Sequence, residues 1–160
     1  MGAGKTTVGK TLAERLGWSF YDLDEAIEQR EGKSIAQIFE RLGENTFRKI
    51  ETAALKDLLR RSQDDCIIAL GGGAFTQLGN RKALEKAGAV TVLLSAPVEE
   101  LERRCQAAGR ARPLARNKTR FKQLFQERQQ AYALAQFRVE TLKKDVAEVA
   151  EEIERILGIG

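Results

Sequence analysis

The residues with the clearest chemistry stand at the very start of the chain, in Met1-Gly2-Ala3-Gly4-Lys5-Thr6-Thr7. Gly4, Lys5 and Thr6 fill the last three places of the phosphate-binding pattern G-x-x-x-x-G-K-[ST]. In that pattern backbone N–H groups close around phosphate oxygens, the lysine reaches the outer phosphates, and the hydroxyl holds magnesium. The reading makes Gly2 to Thr7 a phosphate-binding segment, with Thr6 as metal ligand and Lys5 as the catalytic cation. The pattern's first glycine would lie two positions before Met1, so it and the strand that normally feeds the loop are absent from this sequence. A flexible N-terminus is the plain alternative, but Val8, Leu12 and Leu16 recur at helical spacing directly after Thr7, where a phosphate-binding loop needs a helix.

Three further groups have the residue types for a reaction at a phosphate. Asp22 and Asp24 flank Leu23 at the end of the short aromatic run Trp18-Ser19-Phe20-Tyr21. If extended geometry continues, alternation sends both carboxylates to one side, where they could serve a magnesium-bound water and a substrate hydroxyl. The alternative makes Asp24 the N-cap of a helix over 25–31. Arg48 and Glu51 are three residues apart on a helical pattern, either a surface ion pair or a fork for a carboxylate with its orienting partner. Gly71-Gly72-Gly73 follows an apolar run and permits close backbone approach to a ligand, or forms a flexible turn.

Composition bounds what these groups can serve. At 160 residues, with 42% hydrophobic and 31% charged residues, one soluble globular domain over 1–160 is expected. There is no histidine, and the two cysteines, Cys66 and Cys105, are far apart, which argues against a zinc site and a disulfide framework. No apolar run reaches membrane-spanning length and no signal peptide is evident, so a cytoplasmic protein is expected. The formal charge of +4 reflects a basic stretch between Arg103 and Arg128. Without an aromatic platform it suits an anionic small molecule or solvated helix faces better than nucleic acid.

The elements that must position these groups alternate in type. A first helix is expected to end near Gly17, followed by a strand over 18–21 and a helix to Glu31. Ser34 caps a helix ended by Gly43, and another runs over about 45–61. Cys66 to Leu70 reads as a buried strand, 81–87 as a helix, and Val90 to Leu94 as a second buried strand. Pro97 opens a helix to about Cys105. Residues 106–117, small and basic with Gly109 and Pro113, have the look of a mobile lid. A helix over about 118–135, a strand over 137–141 and an amphipathic helix from Val146 to Leu157 complete an α/β domain with a parallel sheet.

In this order the motifs GAGKTTVGK, DLD, ENTFRKIE, LGGGAF and ARPL, with Arg128 and Tyr132 four residues on, resemble the shikimate kinase family from Met1 to about Thr141. The resemblance implies a three-layer P-loop kinase fold with a parallel sheet of order 2-3-1-4-5, strand 1 missing from this sequence, and a lid. It implies ATP-dependent phosphoryl transfer to a hydroxyl of shikimate, with Mg2+, in the pathway to aromatic amino acids. By position, Lys5 would hold the β- and γ-phosphates, Thr6 the magnesium, and Asp22 would join the magnesium–water network. Asp24 would contact shikimate and orient its attacking hydroxyl. Arg48 and Arg128 would clamp the shikimate carboxylate, with Gly71, Gly72 and Gly73 against the same substrate and Glu51 in support. Arg112 matches the lid arginine and Arg104 falls near the adenine. A monomer acting on a small molecule, with neither nucleic acid nor membrane as partner, is expected. A nucleotide-binding relative without turnover, or a kinase with another acceptor such as gluconate, are the alternatives.

Overall fold

The computed structural model describes residues 2–62, 65–107 and 118–159. In chain order they form α1 (Lys5–Leu16), β1 (Ser19–Asp22), α2 (Leu23–Glu31), α3 (Ile35–Arg61), β2 (Cys66–Ala69), α4 (Leu78–Lys86), β3 (Val92–Ser95), α5 (Val98–Ala107), α6 (Lys118–Tyr132), β4 (Phe137–Glu140) and α7 (Val146–Leu157). They divide into two compact units: Gly17–Val90, and Met1–Leu16 together with Thr91–Gly160.

In Gly17–Val90, β1 and β2 pair in parallel, from Ser19 opposite Cys66 to Asp22 opposite Ala69. A parallel pair needs a long crossover, and α2 with α3 supplies it. Extended backbone stops at Asp22, whose Oδ1 accepts from the amides of Asp24 at 3.0 Å and Glu25 at 3.4 Å. The cap of α2 is therefore Asp22 rather than Asp24, and strand alternation does not govern the pair. The reason is local: at φ −103° and ψ 121° the Asp22 carboxylate reaches the amides two and three residues on, which starts the helix at Leu23. Ser34 caps α3 through a capping box with Gln37, as its sequence position predicts. Gly43, at φ 75° and ψ 171°, interrupts α3, so the two expected helices appear as one kinked element. Leu23, Ile27, Ile38, Phe47, Leu55 and Ala74 form the buried core of this unit.

In the other unit, β3 and β4 pair in parallel from Val92 opposite Phe137 to Ser95 opposite Glu140. Beyond the last pair, Thr141 N donates to Ser95 O at 2.8 Å. The two parallel pairs are the 2-3 and 4-5 pairings of the expected order. The last strand ends at Glu140, one residue early, and α6 ends at Tyr132 where Ala133 to Ala135 form turns. Asp145 caps α7 through a capping box with Glu148. Val8, Leu12 and Ala13 of α1 are buried, as are Val149, Ala150 and Ile153 of α7. Arg15 fastens α1 to α7, donating from Nε to Glu154 Oε1 at 2.7 Å and from Nη2 to Glu154 Oε2 at 3.0 Å. This paired geometry raises the Arg15 pKa and lowers that of Glu154. No helix among the described residues is long and apolar enough to cross a membrane.

Candidate active site

The phosphate-binding segment is built from the start of α1. Lys5, Thr6 and Thr7 form the first helical turn, and Val8 N donates to Gly4 O at 2.9 Å as its first backbone bond. Gly4 sits at φ +80°, a left-handed conformation that a side chain disfavours. It turns the chain into the helix so that the positive end of the α1 dipole lies at Lys5. Ala3 is buried with Ala96, Leu101 and Phe121. A methyl group on Gly2 would stand 2.6 Å from Leu101 O and 2.9 Å from Cys105 Sγ, so α5 backs this segment closely. The donor set of a helix start, a lysine and a threonine hydroxyl fits a polyphosphate.

The second set of predicted residues gathers inside Gly17–Val90. Arg48, on α3 beyond the kink, donates from Nη1 to Glu51 Oε1 at 2.9 Å and from Nη2 to Glu44 Oε1 at 3.2 Å. Glu51 is 1% exposed, whereas the side chain of Glu44 is 66% exposed. The pair is thus not a solvated surface bridge: one carboxylate holds the guanidinium from within and another from the rim. Arg48 Nε is buried with no hydrogen-bond partner among the described residues. The ring of Phe47, itself packed on Phe39, lies 5.2 Å from Arg48 Cζ and supports its face.

Gly71, Gly72 and Gly73 leave β2 and enter a turn closed by Ala74 N donating to Gly71 O at 3.1 Å and Thr76 N to Gly73 O at 3.2 Å. None of the three is at positive φ. What two of them supply is the lack of a side chain. A methyl on Gly71 would lie 2.8 Å from Asp24 Oδ1, and one on Gly73 would lie 2.5 Å from Arg48 Nη1. The close approach expected toward a ligand is made by the protein's own charged side chains. Asp24, Arg48, Glu51, Gly71 and Gly73 are thereby brought together, and a carboxylate stands against the same glycine turn as a guanidinium.

Arg104 donates from Nε to Glu100 Oε1 at 2.8 Å, from Nη1 to Thr141 Oγ1 at 3.0 Å and from Nη2 to Thr141 O at 3.2 Å. Its guanidinium is fixed to the end of β4, with 27% of the side chain exposed. Arg103 and then Arg104, both hydrogen-bonded to Glu100, bring that carboxyl down to about 2. Arg128 lies half-buried on α6. Arg112 lies outside the described residues, as do residues 108–117 of the expected lid; Gln106 and Ala107, assigned to the lid from sequence, are the end of α5. Sequence reasoning passed over Glu44, whose place one helical turn before Arg48 could have flagged it. It also passed over Asn80 and Arg81, whose contacts with the glycine turn have no sequence signature.

Known proteins resemble this chain along its length. The family model described as "Shikimate kinase" matches residues 1–157. A shikimate kinase of Geobacter metallireducens is 44% identical over 156 residues, spanning 96% of this chain and 85% of that protein. One from Persephonella marina is 36% identical over 153 residues, with 96% and 92% covered. Among solved structures, shikimate kinase from Acinetobacter baumannii in complex with shikimate aligns at a TM-score of 0.89 and 38% identity, covering 99% of this chain and 89% of that one. Shikimate kinase from Aquifex aeolicus aligns at 0.85 and 37%, covering 99% and 92%. These likenesses and the two parallel strand pairs give the chain the α/β P-loop kinase fold. With a family match over 1–157 and relatives this similar, the chain belongs to the shikimate kinase family.

Proposed function

We propose that this protein transfers the γ-phosphoryl group of ATP to a hydroxyl of shikimate, giving shikimate 3-phosphate and ADP, as a single kinase domain over 1–160. The observation that carries the reading is Arg48: a guanidinium fixed by buried Glu51, with no partner for Nε among the described residues and with Asp24 against the same glycine turn. Such a group recognises a carboxylate, and Asp24 is the neighbouring base for a hydroxyl.

Phosphoryl transfer asks the protein for positioning and charge rather than covalent chemistry. Gly2, Ala3, Gly4 and Thr7 belong to the loop and helix start that hold the polyphosphate, and Lys5 offsets negative charge as it spreads over the phosphate oxygens. Asp24 orients the acceptor hydroxyl and takes its proton as the new P–O bond forms. Arg48 and Arg128 hold the acceptor carboxylate, Glu51 keeps Arg48 oriented, and Gly71, Gly72 and Gly73 line the same site. Arg104 serves the adenine end and Arg112 the phosphates.

Thr6 and Asp22 are the residues proposed to hold Mg2+. Both offer oxygen, as a hard cation requires. Among the described residues no cluster of three or more acidic, cysteine or histidine side chains converges, which fits an ion held by one or two protein ligands plus phosphates and water. When bound, the ion supplies charge neutralisation at the transferred group. A monomer in the cytoplasm is the setting we propose.

The test is shikimate-dependent ADP release by the purified protein. Replacement of Lys5 by Ala should lower kcat by about 100-fold or more. Replacement of Arg48 by Ala should raise the KM for shikimate by about 100-fold, the loss of roughly 3 kcal/mol from a charge-assisted pair. Equal turnover of gluconate and shikimate, or none with shikimate, would overturn the reading.

A further inference from the structure

Two side chains of α4 have no place in the reaction just described, and both turn back onto the glycine turn. Asn80 is fully buried and donates from Nδ2 to Ala74 O at 2.9 Å, while its Oδ1 has no partner among the described residues. A buried amide that leaves its acceptor unpaired is there for its donor. Arg81 donates from Nη1 to Phe75 O and to Thr76 O, both at 2.8 Å, with its Cζ 6.0 Å from the Phe75 ring centroid. Thr76 Oγ1 completes the set by donating to Gly73 O at 2.6 Å. Four successive carbonyls, from residue 73 to residue 76, are therefore each held by a side chain.

That is more restraint than a surface turn needs, and its consequence falls on the site. Gly73 sits against Arg48 with no room for a methyl group, and Gly71 sits against Asp24 in the same way. Any shift of the turn by a few tenths of an ångström moves the surface on which both charged groups rest.

We infer that Asn80 and Arg81 are positioning residues for acceptor binding: by locking the turn after β2 they set the placement of Arg48 and Asp24, and through them the affinity for the carboxylated acceptor. The inference rests on the proposed shikimate kinase reading. Both side chains bond the backbone of the turn, so both act at one remove.

The experiment compares the full-length protein with its Arg81→Ala, Arg81→Lys and Asn80→Asp variants. Asn80→Asp keeps the shape but sets a carboxylate oxygen against Ala74 O. Shikimate KM, ATP KM, kcat and the calorimetric Kd for shikimate are measured beside the thermal midpoint. Arg81→Ala and Asn80→Asp are expected to raise shikimate KM and Kd by about tenfold with ATP KM within about twofold. Arg81→Lys, which keeps a donor, should recover most of the loss. Parallel rises in both KM values that follow the thermal midpoint would show general destabilisation and overturn the inference, as would an unchanged shikimate Kd. If Asn80→Asp fails to fold, the half-buried Arg81 variants decide. An unmodified protein that does not phosphorylate shikimate overturns the functional reading; an active one whose Arg81→Ala variant binds shikimate normally overturns only this inference.

Discussion

A methyl group on Gly73 would stand 2.5 Å from Arg48 Nη1 and 2.7 Å from its Cζ. The guanidinium of Arg48 thus fills the volume that any side chain at position 73 would need. Residues 25 apart in sequence determine each other's identity: the arginine requires the glycine.

Gly73→Ala should therefore displace Arg48 and weaken acceptor binding. Overpacking of this kind costs about 1–3 kcal/mol, or roughly 5- to 150-fold in shikimate KM. Gly79→Ala is the control, because nothing lies within 4 Å of the added carbon and the site is helical. It should leave KM unchanged and raise stability by about 0.5 kcal/mol in a denaturant titration.

Glu44 shares Arg48 with Glu51 but from the solvent side. In the proposed function, an acceptor carboxylate would compete with it for Nη2. Removing its charge in Glu44→Gln is expected to lower shikimate KM by about 2- to 5-fold at low ionic strength, the worth of an exposed pair. The gain should shrink in high salt and be absent for a neutral ester of the acceptor, which steady-state kinetics will show.

Asp22 has a capping duty that can be separated from any duty toward magnesium. Asparagine caps a helix as well as aspartate does, so Asp22→Asn should keep the thermal midpoint, while Asp22→Ala should lose about 1 kcal/mol. Both variants should need more Mg2+ for half-maximal rate. If Asp22→Asn shows no change in magnesium dependence, Asp22 is a cap alone.

The Glu100 carboxyl, drawn down to about 2 by hydrogen bonds from Arg103 and Arg104, holds Arg104 toward Thr141. A depressed folded-state value means that the stabilisation is complete above the unfolded carboxylate value near 4.5 and is lost as pH falls toward 2. A carboxyl NMR titration of Glu100 should show its midpoint near 2, and Glu100→Gln should make stability less dependent on pH between those limits. A midpoint near 4.5 would mean that the two arginines do not hold it in solution.

The amino-acid sequence determined much of this molecule without help. Strands alternate with helices because apolar runs such as Cys66 to Ala69 alternate with patterns of helical period, and Ser34 and Gly43 mark a helix start and a kink through chemistry confined to a few neighbouring residues. The phosphate-binding turn at Gly4 and Lys5 is local in the same sense. Tertiary structure alone decided the rest. Gly71 and Gly73 are bare because Asp24 and Arg48, distant from them in sequence, stand against them. Periodicity and capping act over one or two helical turns, whereas contacts across 25 or more residues exist only after the core of Leu23, Ile38, Phe47 and Ala74 has formed.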